Sequence, residues 1–349
     1  MSGRTFHEAL SGIADKMIDG VSISIGCPLL TPDIAFIFGA YGDLHVNPAK
    51  RVVSVGWTAW SAELAPWPVR ARYEATDWPM GAMCAAVMVS SEAAKLAGLG
   101  LVELTGHVGH YRELFAPTSA VRLSLAPEQT PCCTQLAAID LISAGAVSNG
   151  FLYALLRLPG VNGNLRTYDR DLSDHSNRNR NMLLLPEFVG HPKVELFKRF
   201  EGSIKVEPID RHFAKSDLGA LSDRVAIGVD DIPTRWLIAK GQSTWMGVGA
   251  TSHFNSMASA HYQHGACAAC LHPRDEEQDG TTPTIAFVSF LAGLMMAADL
   301  LVEAGQPRIS QASRHRYVNA LQLGNPWDGP VMPRTDCPAG CDASKAKAA

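Results

Sequence analysis

The chain has 349 residues, 47% of them hydrophobic and 18% charged, with a mean hydropathy of +0.03; such a composition describes a globular protein that can bury a substantial core. The formal net charge of −4 gives no pull toward polyanions, and the basic residues are scattered rather than gathered into a stripe, so no nucleic-acid partner is expected. The first residues, MSGRTFHEALSGIADKM, contain no apolar run, and the longest apolar stretch, 285–302, is interrupted by Ser289, Gly293 and Asp299. We therefore expect neither signal peptide nor membrane span, and a cytoplasmic protein.

In chain order, VSISIG, IAFIFGAYG and RVVSVGWTAW read as three strands between residues 21 and 60, separated by turn-forming Pro, Asp and Asn. Residues 81–98, GAMCAAVMVSSEAAKLAG, carry small and apolar side chains at helical spacing and end on a glycine suited to stopping a helix. The Pro-, Ser- and Thr-rich segment 115–133 marks a boundary near residue 130, between an N-terminal α/β domain (1–130) and a second domain (131–349). In the second, LAAIDLISAGAVSNGFLYALLRL reads as strand, turn and helix, and VNGNLRTYDRD as a strand closing on acids. RVAIGVDD and STWMGVGATSHF follow as strands, and TIAFVSFLAGLMMAADLLVEAG as a long helix. This alternation predicts a doubly wound, mostly parallel sheet, a Rossmann-like α/β fold. Trp57, Trp60, Trp67 and Trp78 of the first domain are assigned to its core in preference to a docking surface.

The turn Ser143-Ala144-Gly145-Ala146-Val147-Ser148 stands where a nucleotide-binding fold places G-x-G-x-x-G, with only its middle glycine, Gly145, present. It reads either as a nucleotide loop or as a tight structural turn. Asp169-Arg170-Asp171 and Ser176-Asn177-Arg178-Asn179-Arg180-Asn181 fall where an acid would hold a ribose and where Asn and Arg would meet phosphate oxygens; a polar loop capping a short helix at Ser176 or Asn177 is the alternative. Four of the eight cysteines form two close pairs, Cys267-x-x-Cys270 and Cys337-x-x-x-Cys341, and four thiolates so grouped suit a closed, structural zinc site. His253, His261 and His264 are read as surface or loop residues.

The acidic segment resembles the pattern D-x-D-x-V-x-x-S-N-L-N-R-Q of the ubiquitin-activating-like, ThiF/MoeB-type adenylyltransferases, with Asp169, Asp171, Ser176, Asn177, Asn179 and Arg180 in register. Ser173, Arg178 and Asn181 depart from it. The family's glycine-x-proline-lysine element is matched by Gly190-His191-Pro192-Lys193, and its Asp-Asn-x-x-x-Arg by Asp230-Asp231-Ile232-Pro233-Thr234-Arg235. The resemblance covers about residues 130–341 and implies ATP and Mg²⁺ as well as zinc. Asp169 would lie on the ribose, Gly145, Asp171, Asn177, Asn179 and Asp231 around the nucleotide, Arg180 and Lys193 on phosphates, and Asp230 on magnesium. It further implies a homodimer that adenylates the C-terminal carboxylate of a ubiquitin-like or sulfur-carrier protein. Alternatives are a short peptide substrate and a catalytically weakened nucleotide-binding scaffold. Residues 1–130 would then be a degenerate partner half or a substrate-recognition domain. No cysteine lies between Asp230 and Ala266, so the loop thioester of ubiquitin-activating enzymes proper is not expected and activation would stop at the adenylate.

Overall fold

The structure is a computed structural model that describes residues 32–39, 49–105, 113–241, 243–263, 265–274, 284–305 and 312–341. The strand expected at 21–26 lies outside them, as does His264.

The first unit opens with β1 (Ile34–Phe38), β2 (Arg51–Trp57) and β3 (Ser61–Pro66), continues with the long helix α1 (Met80–Thr105), and returns through β4 (Val121–Ser124). Its four strands pair in the order β1-β2-β3-β4. The helix overruns the stop expected at Gly98 for a packing reason: a Cβ there would crowd the Phe115 ring, so this glycine makes room for an aromatic side chain. The Pro-rich segment 115–133 likewise contains β4, whose edge completes the first sheet. Trp60 and Trp78 pack against each other in the core, while Trp57 is half-buried with its ring edge-on to Tyr73.

The second unit alternates strand and helix: β5 (Ile139–Ile142), α2 (Ala146–Arg157), β6 (Gly163–Tyr168), α3 (Lys193–Arg199), β7 (Ile204–Ile209), β8 (Arg224–Ile227), α4 (Ile232–Ile238) and β9 (Trp245–Ser252), of which α3, β7 and α4 are additions to the elements read from the sequence. It ends with β10 (Asn255–Tyr262), the helical turn α5 (Ala268–Leu271), α6 (Ala286–Gly305), β11 (Arg314–Asn319) and β12 (Trp327–Pro330). The sheet order is β12-β11-β10-β9-β8-β5-β6-β7. The strands from β9 to β7 are mutually parallel, and β10, β11 and β12 extend the sheet in antiparallel fashion. The fold is thus mixed α/β around a large parallel sheet. Its switch point lies at β5, where the chain passes to β6 on one side and β8 on the other, and such folds bind ligands at the carboxyl ends of those strands.

One apolar core joins both sheets, with Trp60, Met88 and Leu123 of the first unit in the same cluster as Phe151, Leu291 and Met296 of the second. Among the described residues, two helices meet the length and hydropathy of a membrane span. One is α6, 94% of whose apolar window is buried inside the protein, where it covers β9, β10 and α2. The other is α1, only part of whose apolar surface is covered. The α2–α6 crossing is close because Gly150 and Gly293 face it: a Cβ on Gly293 would overlap the backbone of Val147 and Phe151. Below the switch point, the fully buried Asp140 of β5 accepts two bonds from Arg166 of β6 (2.7 and 2.8 Å) and one from the Ser222 amide (2.6 Å), so its charge is matched where burial would otherwise be costly.

Candidate nucleotide and metal sites

Three strands that are neighbours in the sheet carry the predicted site segments just past their carboxyl ends: Ser143–Ser148 after β5, Asp169–Asn181 after β6, and Gly228–Arg235 after β8. Register aligns Ile142 with Tyr168 and with Ile227, so the three segments leave the sheet at one level. Sequence position alone spreads them over about ninety residues; parallel pairing brings them together.

The loop after β5 is tied to its neighbours by side chains. Asp169 accepts the Ala144 amide on one carboxylate oxygen (2.7 Å) and the Asp171 amide on the other (2.8 Å), which fixes the nucleotide-type loop relative to the acidic one. Asn149, fully buried on α2, donates to the carbonyls of Ala144 and Gly145 (3.1 and 2.9 Å) and accepts the Leu183 amide (3.2 Å). None of these three Asn149 bonds was anticipated. The available signal for Asn149 was a polar residue inside an otherwise apolar helical stretch. Ser148 is also buried, and room for its hydroxyl exists because residue 228 is glycine: a Cβ there would overlap it.

Beyond Asp169 the chain zips onto the Gly-His-Pro-Lys element. Ser173 donates its amide to His191 (2.8 Å), Gly190 to Ser173 (2.7 Å) and Lys193 to Asp171 (2.9 Å), with Gly190 at φ 87°, a value glycine tolerates and other residues resist. This places the Lys193 ammonium 2.8 Å from the Asp171 carboxylate, and that hydrogen bond holds the Asp171 carboxyl below its ordinary range. Arg180 donates to the Ser176 carbonyl (2.7 Å) and to the Asn179 side-chain oxygen (2.9 Å). The cap of the short helical turn 175–177 is Asp174, whose carboxylate accepts the Ser176 amide, while the Asn177 side chain returns to the Asp174 amide (3.1 Å). Capping therefore falls two and three residues before the positions considered from sequence, and the Asn177 carbonyl oxygen is used within the loop.

After β8, Asp231 caps α4 by accepting the Thr234 amide at 2.7 Å. Asp230 is exposed and makes no hydrogen bond to a described residue. Arg235, 5% exposed, donates to the Val229 carbonyl (2.8 Å) and is held under the turn that bears both acids. Burial lowers its pKa, and the charges of Asp230 and Asp231 oppose that shift. A buried arginine thus braces the turn whose free carboxylate is Asp230.

The second constellation is at the far end of the chain. The sulfurs of Cys267, Cys270, Cys337 and Cys341 all lie within 4.8 Å of one another, with Cys267 to Cys337 at 3.4 Å and Cys270 to Cys341 at 3.0 Å. Four thiolates on a tetrahedral ion at about 2.3 Å would stand roughly 3.8 Å apart, so donor set and spacing fit zinc. Hydrogen bonding from Cys267 draws the Cys270 thiol down to about 5, whereas burial pushes Cys341 up to about 12. Sulfurs this close cannot all ionise without a cation among them. Cys132 is exposed and Cys133 half-buried, both before β5 and so at the end of the sheet opposite the nucleotide loop.

The histidines divide. His253 is exposed in the β9–β10 turn, as expected, but His261 is buried in β10, contrary to its reading as a surface or loop residue. Its Nδ1 donates to the Ala266 carbonyl (2.9 Å), which leaves Nε2 to accept from the Ser259 hydroxyl (2.8 Å). Burial pushes its pKa down to about 4, and the ring is a neutral structural bridge.

The SAMP-activating enzyme E1 of Haloferax volcanii is 30% identical over 142 residues, covering 38% of this chain and 52% of that protein, so the chain spans about half the length of this curated relative. Among solved structures, E. coli MccB with SeMet MccA aligns at a TM-score of 0.48 and 16% identity over 58% of this chain and 66% of that one. SeMet PaaA aligns at 0.44 and 13% over 56% and 64%. The ThiF family model matches residues 139–339, the stretch that contains the sheet, the three site segments and the first three of the four cysteines. With more than half of its length so matched, the chain belongs to the ThiF family.

Proposed function

We propose that this protein is an adenylyltransferase that uses ATP to activate the C-terminal carboxylate of a ubiquitin-like or sulfur-carrier protein. The observation that carries the reading is the convergence of the Ser143, Asp169 and Asp230 segments on the carboxyl ends of three adjacent parallel strands, within a chain of the ThiF family. The similarity to a protein named SAMP-activating enzyme E1 supports a protein substrate.

In this reading Asp169 accepts from the ribose hydroxyls while still holding the Ala144 amide, and Gly145 lets the backbone approach the nucleotide. Lys193 and Arg180 turn from their present partners, Asp171 and the Ser176 carbonyl, toward phosphate oxygens, with Asn177 and Asn179 beside them. The substrate carboxylate is already ionised at neutral pH and needs no base; its attack on the α-phosphate expels pyrophosphate. What the site must supply is neutralisation of charge on the phosphate oxygens, a task for fixed cations. Asp230, an exposed carboxylate without a hydrogen bond to any described residue, suits a magnesium ion, which would add neutralising charge, with Asp231 shaping the turn. The four cysteines would hold zinc in a structural role. Without a cysteine between Asp230 and Ala266 the acyl adenylate is the last activated species on this chain. We propose a cytoplasmic homodimer, with residues 1–130 as an N-terminal unit that recognises substrate or stands in for a degenerate partner half.

ATP–pyrophosphate exchange stimulated by a candidate carrier with a free C-terminus tests the reading. Exchange with a short peptide in its place would move the substrate class, and ATP binding with no exchange for either would leave a nucleotide-binding scaffold, the reading favoured by the serines at positions 143 and 148.

A further inference from the structure

Ser143 is one of two described non-glycine residues with positive φ, at 86°, a conformation that costs an L-residue stability and that glycine adopts freely. The other, His253, is in an exposed hairpin turn. Ser143 sits half-buried at the switch point, between β5 and α2, on the loop assigned above to the nucleotide. Its hydroxyl oxygen accepts the Gly145 amide at 3.2 Å and lies 3.4 Å from the Ser148 hydroxyl.

This arrangement changes what the loop offers a ligand. The Ala144 amide is committed to Asp169 and the Gly145 amide to Ser143, so neither is open to an incoming oxygen. The Ser143 hydroxyl accepts from an amide, which leaves its own proton to donate; its one side-chain hydrogen-bond partner among the described residues, Ser148, is 3.4 Å away, at the outer limit of hydrogen bonding.

We propose that Ser143 is a specificity-determining residue of the nucleotide site, whose hydroxyl replaces the Gly145 amide as the loop's donor to an anionic oxygen of ATP. The proposal rests on the adenylation reading only in taking this loop to face the nucleotide. The strained backbone is kept because it presents the hydroxyl to the ligand while satisfying the amide behind it.

Two substitutions test it, read by calorimetric titration with ATP and by KM against kcat in pyrophosphate exchange. In Ser143→Ala the methyl keeps a ligand away from the amide and donates nothing, so the Kd and KM for ATP rise about 10- to 150-fold, the worth of one hydrogen bond to a charged acceptor, with kcat little changed. Ser143→Gly frees the amide and removes the strain, so affinity returns to within about 2-fold of wild type and the Tm is at or above wild type. A purely structural Ser143 would leave ATP affinity unmoved in both variants, and that result, or equal weakening in both, overturns the proposal. Wild-type protein that binds no ATP overturns this proposal together with the adenylation reading. ATP binding in the expected order without exchange supports Ser143 and removes only the reaction.

Discussion

Replacing Asp169 by alanine separates the two tasks assigned to this carboxylate. In the structure it accepts two amides, and that of Ala144 belongs to a residue only 1% exposed, so its loss leaves a donor without water. An orphaned buried donor costs about 1–3 kcal/mol, whereas the Asp171 amide, on an exposed residue, can turn to solvent at little cost. At roughly 2–4 °C per kcal/mol for a protein of this size class, the Tm should fall by about 2–12 °C. Ribose binding adds an independent loss: hydrogen bonds to a charged acceptor contribute about 1.5–3 kcal/mol, or about 10- to 150-fold in ATP affinity. Thermal melts report the first effect, and calorimetric titration with ATP and 2′-deoxy-ATP the second. Wild type should discriminate between the two nucleotides, and Asp169→Ala should not. An unchanged Tm would show that the loop does not depend on this carboxylate, and a lowered Tm with retained discrimination would remove Asp169 from the ribose.

Purified protein should contain about one zinc per chain, and chelation or Cys341→Ser should lower the Tm by about 10 °C without altering ATP affinity in proportion; metal content well below one per chain refutes the four-cysteine site. His261 has a folded pKa pushed down to about 4 against about 6.5 unfolded. The unfolded chain therefore binds the extra proton, and stability should be full above pH 6.5 and fall by about 2 kcal/mol between pH 7 and 5, a slope that denaturant titration should find reduced in His261→Gln. Gly293→Ala must push apart two helices that meet through backbone, so we expect a loss of about 1–3 kcal/mol or more in chemical denaturation; a neutral result would mean that α2 and α6 are not so close. Asp171→Ala should leave Lys193 unrestrained and raise the KM for ATP by a few-fold, less than Lys193→Ala, which removes the cation itself; the reverse order would argue against a phosphate role for Lys193.

The parallel half of the sheet was legible because buried strands and amphipathic helices alternate with glycine- and acid-rich turns, a pattern set by local burial. The acidic loop and the paired cysteines were legible because their spacing encodes geometry within a few residues. Contacts between such segments were not. Nothing local to Asp169 announces that it holds the Ala144 amide, and nothing around Gly228 shows that it shelters the Ser148 hydroxyl, since each depends on strands paired far apart in sequence. Gly98 misled for a related reason: its packing partner, Phe115, lies beyond the helix. His261 misled because no spacing among the three clustered histidines marks a role, whereas β10 is buried on both faces from Ser256 to His261.

The four cysteines lie at one end of a train of contacts that crosses the molecule. They clamp the tail that follows β12 to α5; Asp328 of β12 grips Arg316 of β11 at 3.2 Å, and the same guanidinium reaches the carbonyls of Ser124 and Leu125 at the close of the first sheet. The outermost strand of the large sheet is thus moored at one side by sulfur chemistry and leans on the N-terminal unit at the other. If these sulfurs hold the proposed zinc, oxidation of two of them, or loss of the ion, would reach the protein first as a loosened seam between its two sheets, with the nucleotide loop still intact.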